Sequence, residues 1–189
     1  MRLVITGTPA TGKTTLAKAI ADKAGAELVK INEFVKRNGL GKKVQGGETE
    51  VEPAVLEKAL NRELEGKRSY VVEGHLACEC RLRADAVVVL RCDPAKLRLR
   101  YRKRGYAAAK AKDNLLAEAL DYCLVRAETI YGRSMVLQLD ATRKRTAEGV
   151  LAALAKWKPE KVDWAKDMLP GGRLSFLLRE KGFKKGGGE

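Results

Sequence analysis

Gly7-Thr8-Pro9-Ala10-Thr11-Gly12-Lys13-Thr14 is the stretch of this sequence that decides its fold. Glycine at the first and sixth positions followed by Lys-Thr is the pattern of a phosphate-binding P-loop. The glycines are needed because backbone N–H groups must approach the phosphate oxygens closely. A helix starting at about Gly12 adds the positive end of its dipole. The stretch predicts an enzyme that holds ATP from Gly7 to Thr15 and moves or cleaves its terminal phosphate.

Three residues of the loop have an expected chemical role. Lys13 can reach the β- and γ-phosphates, and the Thr14 hydroxyl can bind Mg²⁺. Thr15 follows where its backbone and hydroxyl can meet the α-phosphate. The predicted cofactor is therefore Mg²⁺, with ATP as a substrate.

Short apolar runs alternate with amphipathic segments on both sides of the loop, which is typical of a parallel sheet with right-handed crossovers. This predicts an α/β fold, a three-layer α/β/α sandwich around a five-stranded parallel sheet. The predicted strands are 3–6, 27–31, 69–73, 86–90 and 135–139. The predicted helices are 14–23, 53–64, 94–104, 114–131 and 146–157.

Glu73 closes a buried strand and is followed by Gly74 and His75, the only histidine of the chain. In P-loop enzymes an acid at such a strand end orients Mg²⁺ or its water ligand. The alternative is a capping or ion-paired carboxylate. We predict the metal role for Glu73 and a contact of His75 with the attacking water or phosphate; a merely satisfied polar histidine is the other interpretation.

Residues 96–112 hold eight basic side chains and no acidic one. One interpretation is a lid whose arginines neutralise the transferring phosphoryl group. The others are a face for RNA phosphates and a solvated helix surface. Arg104-Gly105-Tyr106 breaks the helix where a hinge would lie, which favours the lid for Arg104. The eight residues are Lys96, Arg98, Arg100, Arg102, Lys103, Arg104, Lys110 and Lys112.

Composition sets the outer bounds. The 189 residues fit one domain, and no apolar run is long enough for a transmembrane helix. A cleavable leader would remove the strand that carries the P-loop, so we expect a cytoplasmic protein without membrane contact. The four cysteines have neither disulfide-framework nor zinc-site spacing. The net charge of +14 favours polyanionic partners, nucleotides or RNA; a thermophile-like charged surface is the alternative.

The whole pattern resembles the adenylate-kinase-like ATPases of archaea, whose eukaryotic counterpart is the coilin-interacting nuclear ATPase, or sixth adenylate kinase. The resemblance rests on the P-loop and covers about residues 1–157. It also rests on Val-Glu-Gly-His at 72–75, Ala-Asp-Ala-Val-Val-Val-Leu-Arg at 84–91, Arg-Gly-Tyr at 104–106 and Lys-Asp-Asn at 112–114.

The resemblance implies a nucleoside-monophosphate-kinase fold with a short lid at 103–113 and a monophosphate-binding segment at 30–53. It implies phosphoryl transfer between ATP and AMP, ATPase activity, and a part in late maturation of the small ribosomal subunit. The implied partner is a platform protein of that subunit, next to the 3′ region of its rRNA. Ala10 stands where the family often has glycine, Glu73 replaces the usual aspartate, and Arg37 is the one obvious arginine of the monophosphate segment. The implied ATP-binding residues are Gly7, Ala10, Gly12, Lys13, Thr14, Thr15 and Arg104.

Two segments interrupt this pattern. Residues 38–49 are glycine-rich and polar, which predicts a mobile segment. Residues 158–189 form a basic extension, predicted to be partly disordered or docked on a partner.

Three functions therefore compete. The first is an adenylate-kinase-type transferase with Lys13, Glu73, His75 and Arg104 as catalytic residues. The second is mainly an ATP-hydrolysing assembly switch on the ribosome. The third is a small-metabolite P-loop kinase, which would need a cluster of substrate-binding arginines on the early helices, and the sequence has none there.

Overall fold

Five parallel strands form the centre of the computed structural model, which describes residues 1–43 and 49–178. Their order across the sheet is β2-β5-β1-β6-β7, so β1, which leads into the P-loop, is the central strand. A two-stranded antiparallel ribbon, β3-β4, lies apart from this sheet. The bounds are β1 Arg2–Thr6, β2 Glu27–Lys30, β3 Lys42–Lys43, β4 Thr49–Glu50, β5 Tyr70–Glu73, β6 Ala86–Arg91 and β7 Val136–Asp140.

Helices cover both faces of the sheet, because the strands are apolar on both sides. Leu3 and Ile5 of β1 point into a core shared with α1 and α7, whereas Val4 points into a core shared with α2, α3 and α6. The predicted three-layer α/β/α fold is thereby confirmed. The helices are α1 Lys13–Ala24, α2 Ile31–Asn38, α3 Pro53–Leu64, α4 Pro94–Lys103, α5 Ala108–Ala119, α6 Tyr122–Tyr131 and α7 Ala147–Ala155.

The prediction of one long helix over 114–131 is wrong. The chain forms α5 and α6, which are separated at Asp121, a residue in the left-handed conformation with φ 58°. The break has a visible cause, since the buried Arg91 guanidinium donates to the Glu118 carbonyl at 2.8 Å and to the Asp121 carboxylate. These bonds stabilise a turn that helical periodicity does not encode.

The strand predicted over 27–31 is also too long, because Ile31 is fully buried and begins α2. Part of the segment predicted to be mobile, 44–48, lies outside the described residues. Residues 42–43 and 49–50 on either side of it pair as β3 and β4.

The first part of the C-terminal extension packs against the protein itself. Met168, Leu174 and Leu177 are buried in a third apolar core with Leu97 of α4 and Leu115 of α5. The rest of the extension, residues 179–189, lies outside the described residues. Within the two described ranges, no helix has the length and apolar character needed to cross a bilayer.

Candidate active site

The P-loop connects β1 to α1 and depends on three unusual backbone conformations. Gly7 has φ +136°, and a Cβ there would lie 2.3 Å from the Leu90 carbonyl oxygen, so only glycine fits. Gly12 precedes the first residue of α1 with φ +103°. Ala10 also has a positive φ of 65°, which costs an L-residue roughly 1–2 kcal/mol. The alanine therefore adopts the conformation that its glycine counterpart would adopt without strain.

Lys13 is buried at the centre of this loop. Its Nζ donates to the carbonyl oxygens of Gly7 and Thr8, each at 2.8 Å. Burial lowers the pKa of Lys13, against the nearby charges of Glu73 and Glu118, which raise it. The ammonium is thus already held against the loop that would wrap the phosphates.

Thr14 and Glu73 meet across the carboxyl edge of the sheet. The Thr14 hydroxyl donates to Glu73 Oε1 at 3.0 Å, and Glu73 is 7% exposed. A hydroxyl beside a carboxylate is a hard-oxygen donor pair that fits Mg²⁺, which keeps most of its water and phosphate ligands. No group of three or more His, Cys, Asp or Glu side chains in residues 1–43 and 49–178 could hold a metal ion without other ligands. The pair suits a cation that arrives with a nucleotide.

His75 lies on the same side of the loop. Its Nδ1 is 3.3 Å from the Gly7 carbonyl oxygen and 3.5 Å from the Cys123 sulfur. Burial and the positive charge of Lys13 lower the pKa of His75, so the imidazole is neutral at pH 7. Because a carbonyl can only accept, a bond to Gly7 places the proton on Nδ1 and leaves Nε2 as an acceptor.

A pocket of about 1080 Å³ opens on the other side of the loop. The loop contributes Ala10, Gly12 and Thr15, and Arg104 contributes from the turn after α4. Arg104 is exposed, and the described residues offer its guanidinium no hydrogen-bond acceptor. The structure therefore groups Lys13, Thr14, Glu73 and His75 on one side of the loop and places Arg104 on the other.

Sequence reasoning missed most of this second side. Arg100 donates to the Ala10 carbonyl at 2.9 Å and to the Thr142 carbonyl at 3.1 Å, so it ties the P-loop to the loop after β7. Lys144 and Arg145 of that later loop also line the pocket. Lys144 and Arg145 lie about 130 positions after the P-loop, and no motif marks them. Only the general rule that parallel strands present their carboxyl ends at one edge would have pointed to them.

In the predicted monophosphate-binding segment, two of the cations that could bind a phosphate are paired with other side chains. Arg37 of α2 pairs with Glu63 at 3.3 Å and lies over the Phe34 ring at 5.6 Å, so it is already occupied. Lys30 is paired opposite Glu73 in the β2-β5 register, and its Nζ donates to Glu33 at 2.8 Å. Lys30 is a cation beside the Thr14–Glu73 pair that sequence reasoning overlooked.

Comparison with known proteins connects this geometry to a family. A family model described as an AAA domain matches residues 3–121. A protein of Pyrococcus abyssi named "Putative adenylate kinase" is 37% identical over 171 residues, which cover 87% of this chain and 92% of that protein. A protein of the same name from Methanocaldococcus jannaschii is 32% identical over 171 residues, which cover 87% of this chain and 93% of that protein.

Solved structures with the same fold are more distant in sequence. A shikimate kinase from Bacteroides thetaiotaomicron aligns with a TM-score of 0.53 at 17% identity, over 84% of this chain and 96% of its own. A gluconokinase from Sinorhizobium meliloti aligns with a TM-score of 0.52 at 18% identity, over 82% of this chain and 92% of the gluconokinase. At such identities the likeness shows the fold alone.

Proposed function

The chain belongs to the AAA-domain family and to the archaeal proteins that share the adenylate kinase name, and on this premise we propose that it transfers the γ-phosphoryl group of ATP to AMP. The observation that most supports this proposal is the hydrogen-bonded group around the P-loop, in which Lys13 and the Thr14–Glu73 pair lie on one side of the same turn. The pocket lined by Arg104 lies beside it, and its volume suits a nucleoside.

In the proposed reaction an oxygen of the AMP phosphate attacks the γ-phosphorus of ATP in line, and ADP leaves. The nucleophile is already anionic, so the site needs no strong base. Lys13 and the loop N–H groups stabilise the charge on the equatorial oxygens, and Arg104 binds the phosphates of ATP from the lid. Thr14 and Glu73 would hold Mg²⁺, which would offset part of the negative charge of the phosphates.

The test is ADP formation from ATP with and without each nucleoside monophosphate. We expect AMP to raise ADP production strongly and to be consumed in a 1:1 ratio with ATP. ADP production that ignores AMP, CMP, GMP and UMP alike would reject the transferase assignment.

A specific observation favours ATP hydrolysis as a second activity. His75 is neutral, it contacts the Gly7 carbonyl, and its other ring nitrogen is an acceptor that can orient a water molecule. His75→Ala should therefore reduce hydrolysis without AMP more than it reduces AMP phosphorylation. The opposite order would assign His75 a structural role.

We also propose that the protein binds the small ribosomal subunit, which goes beyond what its relatives' names say. A cleft of about 730 Å³ lies at the amino ends of the strands, away from the P-loop, and is rich in basic side chains. Together with the net charge of +14, this cleft favours contact with the phosphate backbone of RNA. The basic residues are Arg2, Arg62, Lys67, Arg68 and Arg83.

Co-sedimentation of the purified protein with small ribosomal subunits, in ATP and in ADP, tests this second proposal. A triple variant with Arg62, Arg68 and Arg83 changed to serine should lose co-sedimentation and keep its nucleotide turnover, because the cleft and the P-loop lie at opposite ends of the strands. Equal sedimentation of the wild type and the triple variant would reject the cleft.

A small-metabolite kinase is less favoured, although kinases of that class share the fold. Such a substrate needs arginines that face the phosphate donor from the early helices. In the described residues α1 carries no arginine, and Arg37 of α2 is bound to Glu63.

A further inference from the structure

A second polar cluster is buried beneath the P-loop, and its central residue belongs to none of the sequence motifs described above. Its centre is the carboxylate of Glu118, one residue before the end of α5. The whole residue is 2% exposed. Oε1 accepts from Arg91 Nε at 2.8 Å and from the Cys92 backbone N–H at 2.9 Å. Oε2 accepts from the hydroxyl of Thr8 in the P-loop.

The cluster connects three parts of the fold that are distant in sequence. Arg91 ends β6, Glu118 belongs to the helix that follows the predicted lid, and Thr8 is the second residue of the phosphate loop. The Arg91 and Glu118 side chains are each 1% exposed. A buried ion pair is a poor device for stability alone, since well-packed apolar residues commonly stabilise a fold as much or more. The buried carboxylate of Glu118 is better explained by the role of the residue that donates to its other oxygen, Thr8.

Thr8 touches the catalytic lysine. The backbone carbonyl of Thr8 accepts from Lys13 Nζ at 2.8 Å and from the Thr11 hydroxyl at 3.0 Å. The Glu118 carboxylate fixes the Thr8 side chain, and the Thr8 carbonyl in turn fixes the ammonium. We propose that Glu118 is a positioning residue, which acts through Thr8 to hold the P-loop and Lys13 in the geometry that binds and transfers phosphate.

The proposal rests on the kinase function and extends it, because it makes the orientation of α5 part of the phosphate site. Any change at the segment 103–113 that rotates α5 would be transmitted to the loop through this carboxylate. No group of the cluster needs to reach the nucleotide itself.

Thr8→Val and Thr8→Ser form the decisive pair of variants. Valine keeps the shape and removes the hydroxyl, whereas serine keeps the hydroxyl. We expect Thr8→Val to weaken binding of a non-hydrolysable ATP analogue and to lower kcat, each by about tenfold to a hundredfold, because a small displacement at a phosphate site has effects of that size. Thr8→Ser should remain within about twofold of wild type.

Gln138→Leu is the matched control for a loss of stability. Gln138 accepts from Arg91 Nη1 at 2.9 Å on the side of the cluster away from the P-loop. This variant should lower the melting temperature as Thr8→Val does and leave analogue affinity and kcat unchanged. All measurements are made well below the melting temperature of the least stable variant.

Three outcomes separate the possibilities. Wild-type affinity and kcat in Thr8→Val would overturn the proposal. An equal loss in Gln138→Leu would also overturn it, because function would then follow stability alone. A wild-type protein that binds the analogue but forms no ADP from AMP would reject the kinase assignment only, since the analogue affinities of Thr8→Val and Thr8→Ser would still test the positioning role.

Discussion

The two sides of the P-loop are built in opposite ways. On the side of β5 Lys13 and Glu73 are buried and the polar groups are already hydrogen-bonded, as the Thr14–Glu73 contact at 3.0 Å and the two bonds of Lys13 to loop carbonyls show. On the side of the pocket, Arg104 is exposed and its guanidinium meets no acceptor among residues 1–43 and 49–178. The first side has little freedom to rearrange, whereas the second is shaped by loops.

This difference indicates a division of labour. Groups that must stabilise charge in the transition state are most effective when they are fixed beforehand in a dry environment. Groups that admit and release a nucleotide must be able to move. We therefore expect changes on the buried side to act mainly on kcat and changes on the pocket side to act mainly on KM for ATP.

The largest effect should come from Lys13→Met, which removes the charge and keeps a stem of similar length. Loss of a single electrostatic donor costs about 3–4 kcal/mol in the transition state, or roughly 10²–10³-fold in kcat. Lys18→Ala, an exposed lysine of the same helix, serves as the control and should behave as wild type. Steady-state ADP formation measures both, and turnover within twofold of wild type in Lys13→Met would refute the site.

Glu73→Gln should have the next largest effect. It keeps the size of the side chain and removes the charge beside Thr14. We expect activity to fall by about 10–100-fold and the half-saturating Mg²⁺ concentration to rise, as for other residues that orient metal ligands. Asp85→Asn, which breaks an ion pair with Arg2 far from the site, is the control. An unchanged Mg²⁺ titration would leave Glu73 as a capping carboxylate only.

The same contrast explains how far sequence reasoning reaches. The P-loop and the acid of β5 are encoded locally, because a strand, a glycine pattern and a buried run each leave a mark in adjacent residues. The pocket side is assembled from α4 and the loop after β7. No feature of the neighbouring sequence predicts that Arg100 binds the Ala10 carbonyl. The break at Asp121 was missed for the same reason, since its cause is Arg91, 30 residues away.

Arg104→Ala should change KM for ATP by about tenfold and kcat by less. Its guanidinium has no internal partner to lose in the described structure, so the free energy of unfolding should stay within about 0.5 kcal/mol of wild type. Arg102→Ala, exposed near the end of α4 and absent from the pocket, should leave both kinetic constants unchanged. A large loss of kcat at unchanged KM would place Arg104 with the buried side and break the division.

The smallest effect concerns His75 and the pH dependence of stability. Burial and the charge of Lys13 lower the folded-state pKa of His75 below the value of about 6.5 expected in the unfolded chain. Above pH 6.5 both states are neutral, and the stability is fully present. As the pH falls below 6.5, His75 becomes protonated in the unfolded chain before it does in the folded protein. The free energy of unfolding therefore decreases.

His75→Gln removes this contribution, and since the chain has no other histidine the comparison is clean. Between pH 7 and pH 5 the melting temperature of the wild type should fall more steeply than that of the variant. A change of 1 kcal/mol moves the midpoint by roughly 2–4 °C in a chain of this size, so calorimetry can resolve the difference in slope. A steeper fall in the variant would mean that His75 carries a proton in the folded state, and the buried side of the loop would then be less dry than its contacts imply.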